Sequence, residues 1–362
     1  MPPALVRTLC ARHSWLVESG GGPALSLTWA HRAEQSAHAW EQSHARGDVP
    51  SIWPYGLDAL RDHAAVEVVD LPAPGRLARA RARLSMGPRP VDGLAVTWDE
   101  NTAYRMQTLH PRARFATGVI WLTDMIADGN VPSQLIAMLN RAEAAWVLSE
   151  AQVEPLRRAL GPRGPRVFAV PFGIDSDFFG PKPYPDRPRI VSVGNDRDRD
   201  PATLYAALAR VLAVRPETEV MVQTRSDLVP PEGVRVVRNM PHAELRDLYA
   251  TASVVAIPTR PNLHASGMTV ALEALATARP VVVSATPGME QYVSEGRTGR
   301  LVPPEDPAEL ALAILRLLDD PVSAAELGRN GRLEVEHRFT TQIMVAALVK
   351  GLLHRVEREG VV

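Results

Sequence analysis

The feature that most constrains this chain is an alternation kept up through most of its length. Short runs rich in Val, Ile and Ala are separated by segments with helical spacing. Runs this short and this apolar must be buried on both faces, which is the situation of parallel strands with helices packed above and below. The runs 23–27, 66–71, 91–98, 116–122, 144–148 and 167–171 make one series; 190–193, 219–223, 234–238, 254–257 and 281–284 make a second. Helices are expected over 56–63, 100–109, 133–141 and 150–160, and later over 270–276, 306–318 and 341–355. Residues 31–53 read as a long loop and 72–90 as an Arg/Pro-rich link. Residues 1–22, ending in Gly20-Gly21-Gly22, do not fit the alternation and read as an extension.

A chain of 362 residues has room for two domains. The Pro-rich stretch 181–189 is the expected linker. The division is therefore an extension over 1–22, Rossmann-like domains over 23–180 and 181–338, and a last helix over 339–362. The net charge of −1 argues against a nucleic-acid partner and against a basic membrane tether. Cys10 is the single cysteine, so intramolecular disulfides and cysteine metal sites are excluded. No apolar run approaches the ~18 residues of a membrane span, and Arg7 and Arg12 interrupt what would be a leader. Cytoplasmic location, with at most peripheral membrane association, is the expectation. His31, His38 and His44 are not spaced as one helical turn and no acidic cluster suggests a divalent site, so no metal is expected.

The densest local signal lies in residues 263–304, which read as loop, helix, strand, loop and short strand. Ser266-Gly267-Met268-Thr269 stands where a helix begins. A small Gly-containing loop there presents free N–H groups and the positive end of the helix dipole, a site for phosphate. Glu273, about one turn on, is placed to reach a pair of ribose hydroxyls. Together they describe a pocket for a nucleoside diphosphate.

This segment resembles the donor region of the GT-B glycosyltransferases of family 4, which show Glu, seven residues, Glu, then Ala-Met-Ala, a small residue and Pro-Val-Val. Glu273 matches the second Glu, and Ala265 stands where the first would be. The resemblance continues through Pro287-Gly288-Met289-Glu290 and Gly296-Arg297-Thr298-Gly299 to Pro303-Pro304, and Pro171-Phe172-Gly173-Ile174-Asp175 is similar to the interdomain signature. It implies an α/β GT-B fold, two Rossmann-like doubly wound domains facing across a cleft, with the last helix crossing back to the first domain. It further implies a nucleotide-diphosphate sugar as donor and a small-molecule, glycan or lipid-linked acceptor. Transfer would occur with retention, and neither cofactor nor metal would be required. In that mechanism the leaving phosphate can accept the acceptor's proton.

The same resemblance assigns residues. Gly194 and Asn195 fall where the family has Gly-Arg, Arg199 most nearly takes the place of a following Lys, and Arg197 is a candidate for the missing charge. A diphosphate gains charge as the sugar bond breaks, so guanidinium groups beside it favour the transition state. His264, Ser266, Gly267, Met268, Thr269 and Glu273 would hold the donor, and Asn239 and Met240 the base. Asp124 or Thr123, in the run Trp121-Leu122-Thr123-Asp124 at the end of a strand, is the candidate facing the reaction centre; helix capping is the alternative for Asp124 and for Asp99. Ala265 leaves three readings open: a donor held mainly by backbone groups, a deoxysugar with fewer hydroxyls, or a non-catalytic copy. The rivals for the whole chain are a GT-B nucleotide-sugar epimerase and a sugar-binding protein without chemistry.

Overall fold

The computed structural model describes residues 16–19, 22–78 and 93–358. The chain divides into two compact units. One comprises Met1–Gln42, Ile52–Pro171 and Met344–Val362, the other Ser43–Ser51 and Phe172–Ile343. Parts of the expected extension and most of the 72–90 link lie outside the described residues.

In the first unit β1 (Leu16–Ser19) pairs antiparallel with the start of β2 (Gly22–Arg32). β3 (Ala64–Leu71), β4 (Leu94–Thr97), β5 (Phe115–Gly118), β6 (Ala144–Val147) and β7 (Arg166–Ala169) complete a sheet that is otherwise parallel, in the order β3-β2-β4-β5-β6-β7. Phe115, Val147 and Val167 on the strands pack against Met106, Leu122, Leu139 and Leu156 on the helices. The alternation in sequence therefore reports what it should: strands covered by helices.

Three local readings are corrected. The segment 31–53 is not a loop: β2 runs to Arg32, and α1 (Ala37–Ala45) follows a 3-10 turn. Its sequence, Ala-His-Ala-Trp-Glu-Gln-Ser-His-Ala, has no apolar stripe at helical spacing, so periodicity misses it. The helix expected over 56–63 is a 3-10 stretch, Pro54–Asp62, broken where Tyr55 and Gly56 take φ of 63° and 68°. The strand expected over 116–122 stops at Gly118.

That last stop has a definite cause. Glu100, buried at the first turn of α2 (Glu100–Leu109), accepts from the N–H groups of Ile120, Trp121 and Leu122, each at 2.9 Å. These bonds turn the chain out of the sheet and satisfy the otherwise unpaired N-terminus of α3 (Leu122–Ala127). Burial raises the Glu100 carboxyl above its ordinary value, against those hydrogen bonds. Trp121 to Asp124 are thus the start of a helix rather than the end of a strand. α4 (Ser133–Leu139) and α5 (Val153–Leu160) complete the helices between β5 and β7.

The second unit holds β8 (Arg189–Val193), β9 (Glu219–Gln223), β10 (Val234–Val237), β11 (Val254–Ile257), β12 (Val281–Ser284) and β13 (Gly299–Val302), all parallel, in the order β10-β9-β8-β11-β12-β13. Its helices are α6 (Pro201–Val214), α7 (His242–Ala250), α8 (Met268–Ala276), α9 (Pro307–Asp319) and α10 (Pro321–Arg338). The final helix, α11 (Thr341–Arg358), begins here, and from Met344 it groups with the first unit. Leu204, Leu208 and Val211 of α6 and Leu310, Ile314 and Leu317 of α9 bury one face of the sheet. On the other side α10 approaches α8 closely, because a Cβ on Gly331 would lie within 3.2 Å of the Leu275 side chain.

The sequence reading lacks α6, α7 and α10. For α6 and α10 a signal was present: Asp200-Pro201 and Asp320-Pro321 each place an N-cap carboxylate before a proline at the first helical turn, as does Asp306-Pro307 for α9. Among the described residues no helix is long and apolar enough to cross a membrane.

Candidate functional site

The strand order of the second unit reverses between β8 and β11. From β8 the chain moves outward through β9 and β10; from β11 it moves the other way through β12 and β13. Loops leaving the carboxyl ends of two such strands diverge, and the crevice between them is where open α/β sheets bind ligands. Here those loops are 194–200 and 258–267. They are laced together by bonds from Asp200 N to the Pro258 carbonyl (3.1 Å) and from Arg260 N to the Asp198 carbonyl (2.8 Å), with a bridge pairing Arg199 and Thr259.

Arg199 lies at the centre of this crevice. A Cβ on Gly194, whose φ is 148°, would stand 2.6 Å from the guanidinium carbon, and one on Gly267, φ 94°, would stand 2.7 Å from Nη1. Both glycines are therefore needed for the arginine to lie where it does, and the second also for its left-handed backbone. The Nε of Arg199 is buried and has no hydrogen-bond partner among the described residues, a costly arrangement that a bound acceptor would relieve. Burial lowers the Arg199 guanidinium from its ordinary value, while Asp196, Tyr249 and Glu273 pull it upward.

Beside the guanidinium is the N-terminus of α8. Gly267 caps it in the left-handed conformation, with no side-chain cap hydrogen bond among the described residues. The loop before it is tied by its own hydrogen bonds: Ser266 N donates to Asn262 Oδ1 at 2.8 Å, Asn262 Nδ2 to the Arg260 carbonyl at 2.8 Å, and Met268 N to the Ala265 carbonyl at 3.0 Å. Ala265 is fully buried with a φ of 51°.

Asp196 joins the two loops. Its Oδ1 accepts from Ser266 Oγ at 2.6 Å and from Asp198 N at 3.1 Å, and stands 3.3 Å from His264 Nε2. Burial alone would raise this carboxyl; the contacts with His264 and Ser266 outweigh it and hold the group well below the usual carboxylate range. His264 is buried, with Nδ1 3.8 Å from Asp198 Oδ2.

Glu273, also buried, accepts from the Tyr249 hydroxyl of α7 at 2.9 Å. Burial pushes its carboxyl up to about 7, against the lowering influence of Tyr249 and Arg199. Burial and Glu273 together hold the Tyr249 phenol far above its ordinary value.

The structure thus brings Gly194, Arg199, His264, Ser266, Gly267, Met268 and Glu273 into one group, with Thr269 half-buried in the first turn of α8. Asn195 and Asn239 form a second group, linked by Arg225. Arg225 N donates to Asn195 Oδ1 at 2.7 Å, and its guanidinium to Asn239 Oδ1 at 2.8 Å; half-buried Met240 follows. Arg197 is exposed and directs Nε to Asp198 at 3.0 Å. Asp124 belongs to the first unit, buried in the first turn of α3. Asp99 caps α2, accepting from Asn101 N and Thr102 N at 2.9 Å.

Sequence reasoning missed Asp196, Tyr249, Asn262 and Arg225. Tyr249 and Arg225 carried no local signal. Asp196 stands between assigned residues of the same loop, but its partners are about seventy positions away in the chain.

Residues 187–320 match the model of the family described as glycosyl transferases group 1. Among curated relatives, the chain is 28% identical over 225 residues to the MMP alpha-(1->4)-mannosyltransferase of Mycolicibacterium hassiacum, covering 58% of this chain and 52% of that one. It is 30% identical over 243 residues to a D-inositol 3-phosphate glycosyltransferase of Catenulispora acidiphila, covering 58% and 56%. The alignments span little more than half the length of these relatives. The sucrose-phosphate synthase of Thermosynechococcus elongatus superposes with a TM-score of 0.63 at 19% identity, over 92% of this chain and 99% of that one. The superposition shows a GT-B fold for the described chain.

Proposed function

We propose that this chain transfers a glycosyl group from a nucleotide-diphosphate sugar to an acceptor hydroxyl, with retention at the anomeric carbon. The observation that carries the reading is the switch-point crevice of the second unit. A guanidinium seated over two glycines lies beside a glycine-capped helix N-terminus without a side-chain cap bond among the described residues. Both favour a diphosphate, and favour it more as the leaving group gains charge. In this reading Arg199 stabilises the departing diphosphate, and Glu273 exchanges its Tyr249 hydrogen bond for the ribose hydroxyls. The linked Asn195, Arg225, Asn239 and Met240 face the base. Arg197 stays at the periphery, while Asp124 acts on the acceptor side. In this reading no metal is part of the mechanism. The acceptor is a small molecule, a glycan or a lipid-linked species, as the variety among the relatives suggests, and the setting is cytoplasmic with at most peripheral membrane contact.

The test is thermal stabilisation by UDP, GDP, ADP and dTDP on the wild type, Arg199→Ala and Glu273→Ala. A ligand at a hundred times its Kd stabilises the native state by about 2.7 kcal/mol. One nucleotide should raise the melting temperature of the wild type, and both variants should lose most of that shift. No shift with any nucleotide at millimolar concentration would sink the reading.

A further inference from the structure

Asp196 is an acidic group in a crevice built for an anion, and this needs an explanation. A carboxylate facing a diphosphate would repel it. Yet the protein invests in keeping this one charged and fixed: Ser266 Oγ at 2.6 Å and His264 Nε2 at 3.3 Å come from the very loop that leads into α8. About a quarter of the Asp196 side chain, 27%, remains open to solvent, while the His264 side chain behind it is 4% exposed. The two residues that hold Asp196 flank Ala265, whose buried methyl group can accept no hydrogen bond. The cation and the anion attract one another but are held by different partners. Arg199 lies against Gly194 and Gly267, and Asp196 lies against Ser266 and His264 on the preceding turn. An ionised, oriented, partly open carboxylate next to a phosphate site suits the hydroxyl groups of what the phosphate carries.

We infer that Asp196 is the specificity-determining carboxylate of the donor site, reading a hydroxyl of the transferred hexose in place of any side-chain contact at Ala265. The inference rests on the transferase reading and narrows it: the donor bears a hydroxyl at the position Asp196 reads, which excludes the corresponding deoxysugar as the preferred donor. The bland alternative is a loop tie, since Asp198 N also bonds to Oδ1 at 3.1 Å. The two differ in what asparagine does. Asp196→Asn keeps an Oδ1 acceptor for Ser266 and Asp198 N but removes the charge that strengthens a hydroxyl contact.

The experiment is isothermal titration of the full chain, wild type and Asp196→Asn, with UDP, GDP, UDP-glucose and GDP-mannose. The mono-deoxy analogues of whichever sugar nucleotide binds are then titrated. The expected result is that the wild type binds one sugar nucleotide about tenfold or more tighter than its bare diphosphate. Asp196→Asn should lose that increment, keep the diphosphate affinity within about twofold, and bind one mono-deoxy analogue as well as the wild type does. If the diphosphate binds but the variant keeps the sugar increment, or loses affinity equally for every ligand, Asp196 is a loop tie and the inference is overturned while the nucleotide reading stands. A wild type that binds no nucleotide overturns both.

Discussion

Glu273 shows how one residue can set opposing pH dependences. Its carboxyl has an ordinary value near 4.5 in the unfolded chain and about 7 in the fold. The native state therefore binds this proton more tightly than the unfolded state. The resulting stability is fully present below about pH 4.5 and is lost as the pH rises through 7, on the order of 3 kcal/mol in all. Ribose hydroxyls want the ionised form, so nucleotide affinity should rise over the upper part of the same window. We expect the melting temperature of the wild type, relative to Glu273→Gln, to fall between pH 5 and 7.5 without ligand. The affinity for the nucleoside diphosphate, again relative to the variant, should rise between pH 6 and 8. Parallel pH profiles for the two proteins, in melting and in titration, would show that Glu273 does not titrate there. Little of this was readable beforehand. Glu273 itself stood out from its place in a helix after a Gly-containing loop, but its partner Tyr249 comes from another helix, and burial of the pair is a property of the fold.

At the scale of the element, helix α8 and the loop before it depend on one backbone position. Gly267 has a φ of 94°, and an added methyl would meet Ile257 Cγ2 at 2.6 Å as well as the Arg199 guanidinium. Gly267→Ala should cost about 1–2 kcal/mol from the left-handed backbone alone. It should also displace Arg199, weakening nucleoside diphosphate binding about tenfold or more. Titration and thermal melting of the variant check both parts, and unchanged affinity would mean that Arg199 need not lie across this glycine. The elements were unevenly legible for physical reasons. β8, β9, β11 and β12 show as apolar runs because they are buried on both faces, and α2 shows because Asp99 caps it and its apolar residues recur at helical spacing. α1 was invisible because its stripe is weak, and the true end of β5 because it is set by Glu100, fifteen or more positions earlier in the chain.

At the scale of the molecule, the order of the chain is not the order of its units. Met344–Val362 group with the first unit, although the whole second unit intervenes. The seat of this segment on β7 is tight. The Arg166 guanidinium donates to the Gly351 carbonyl and lies 4.7 Å from the Phe168 ring centre. A Cβ on Gly351 would come within 2.6 Å of Phe168 Cδ2 and closer still to the ring edge. Gly351 has no left-handed backbone to explain it, so its smallness serves this contact. Gly351→Ala should therefore destabilise the first unit by overpacking, about 1–3 kcal/mol, lowering its calorimetric transition by roughly 2–10 °C. The nucleotide-dependent shift belongs to the second unit, whose crevice residues all lie between 194 and 273, and it should survive the substitution. A variant that lost nucleotide binding along with first-unit stability would show that the two units do not unfold separately. One with an unchanged thermogram would show that Phe168 yields to the extra methyl. The expected pattern, stability lost in one unit and ligand response kept in the other, would locate the donor chemistry within the second unit by an experiment that never touches it.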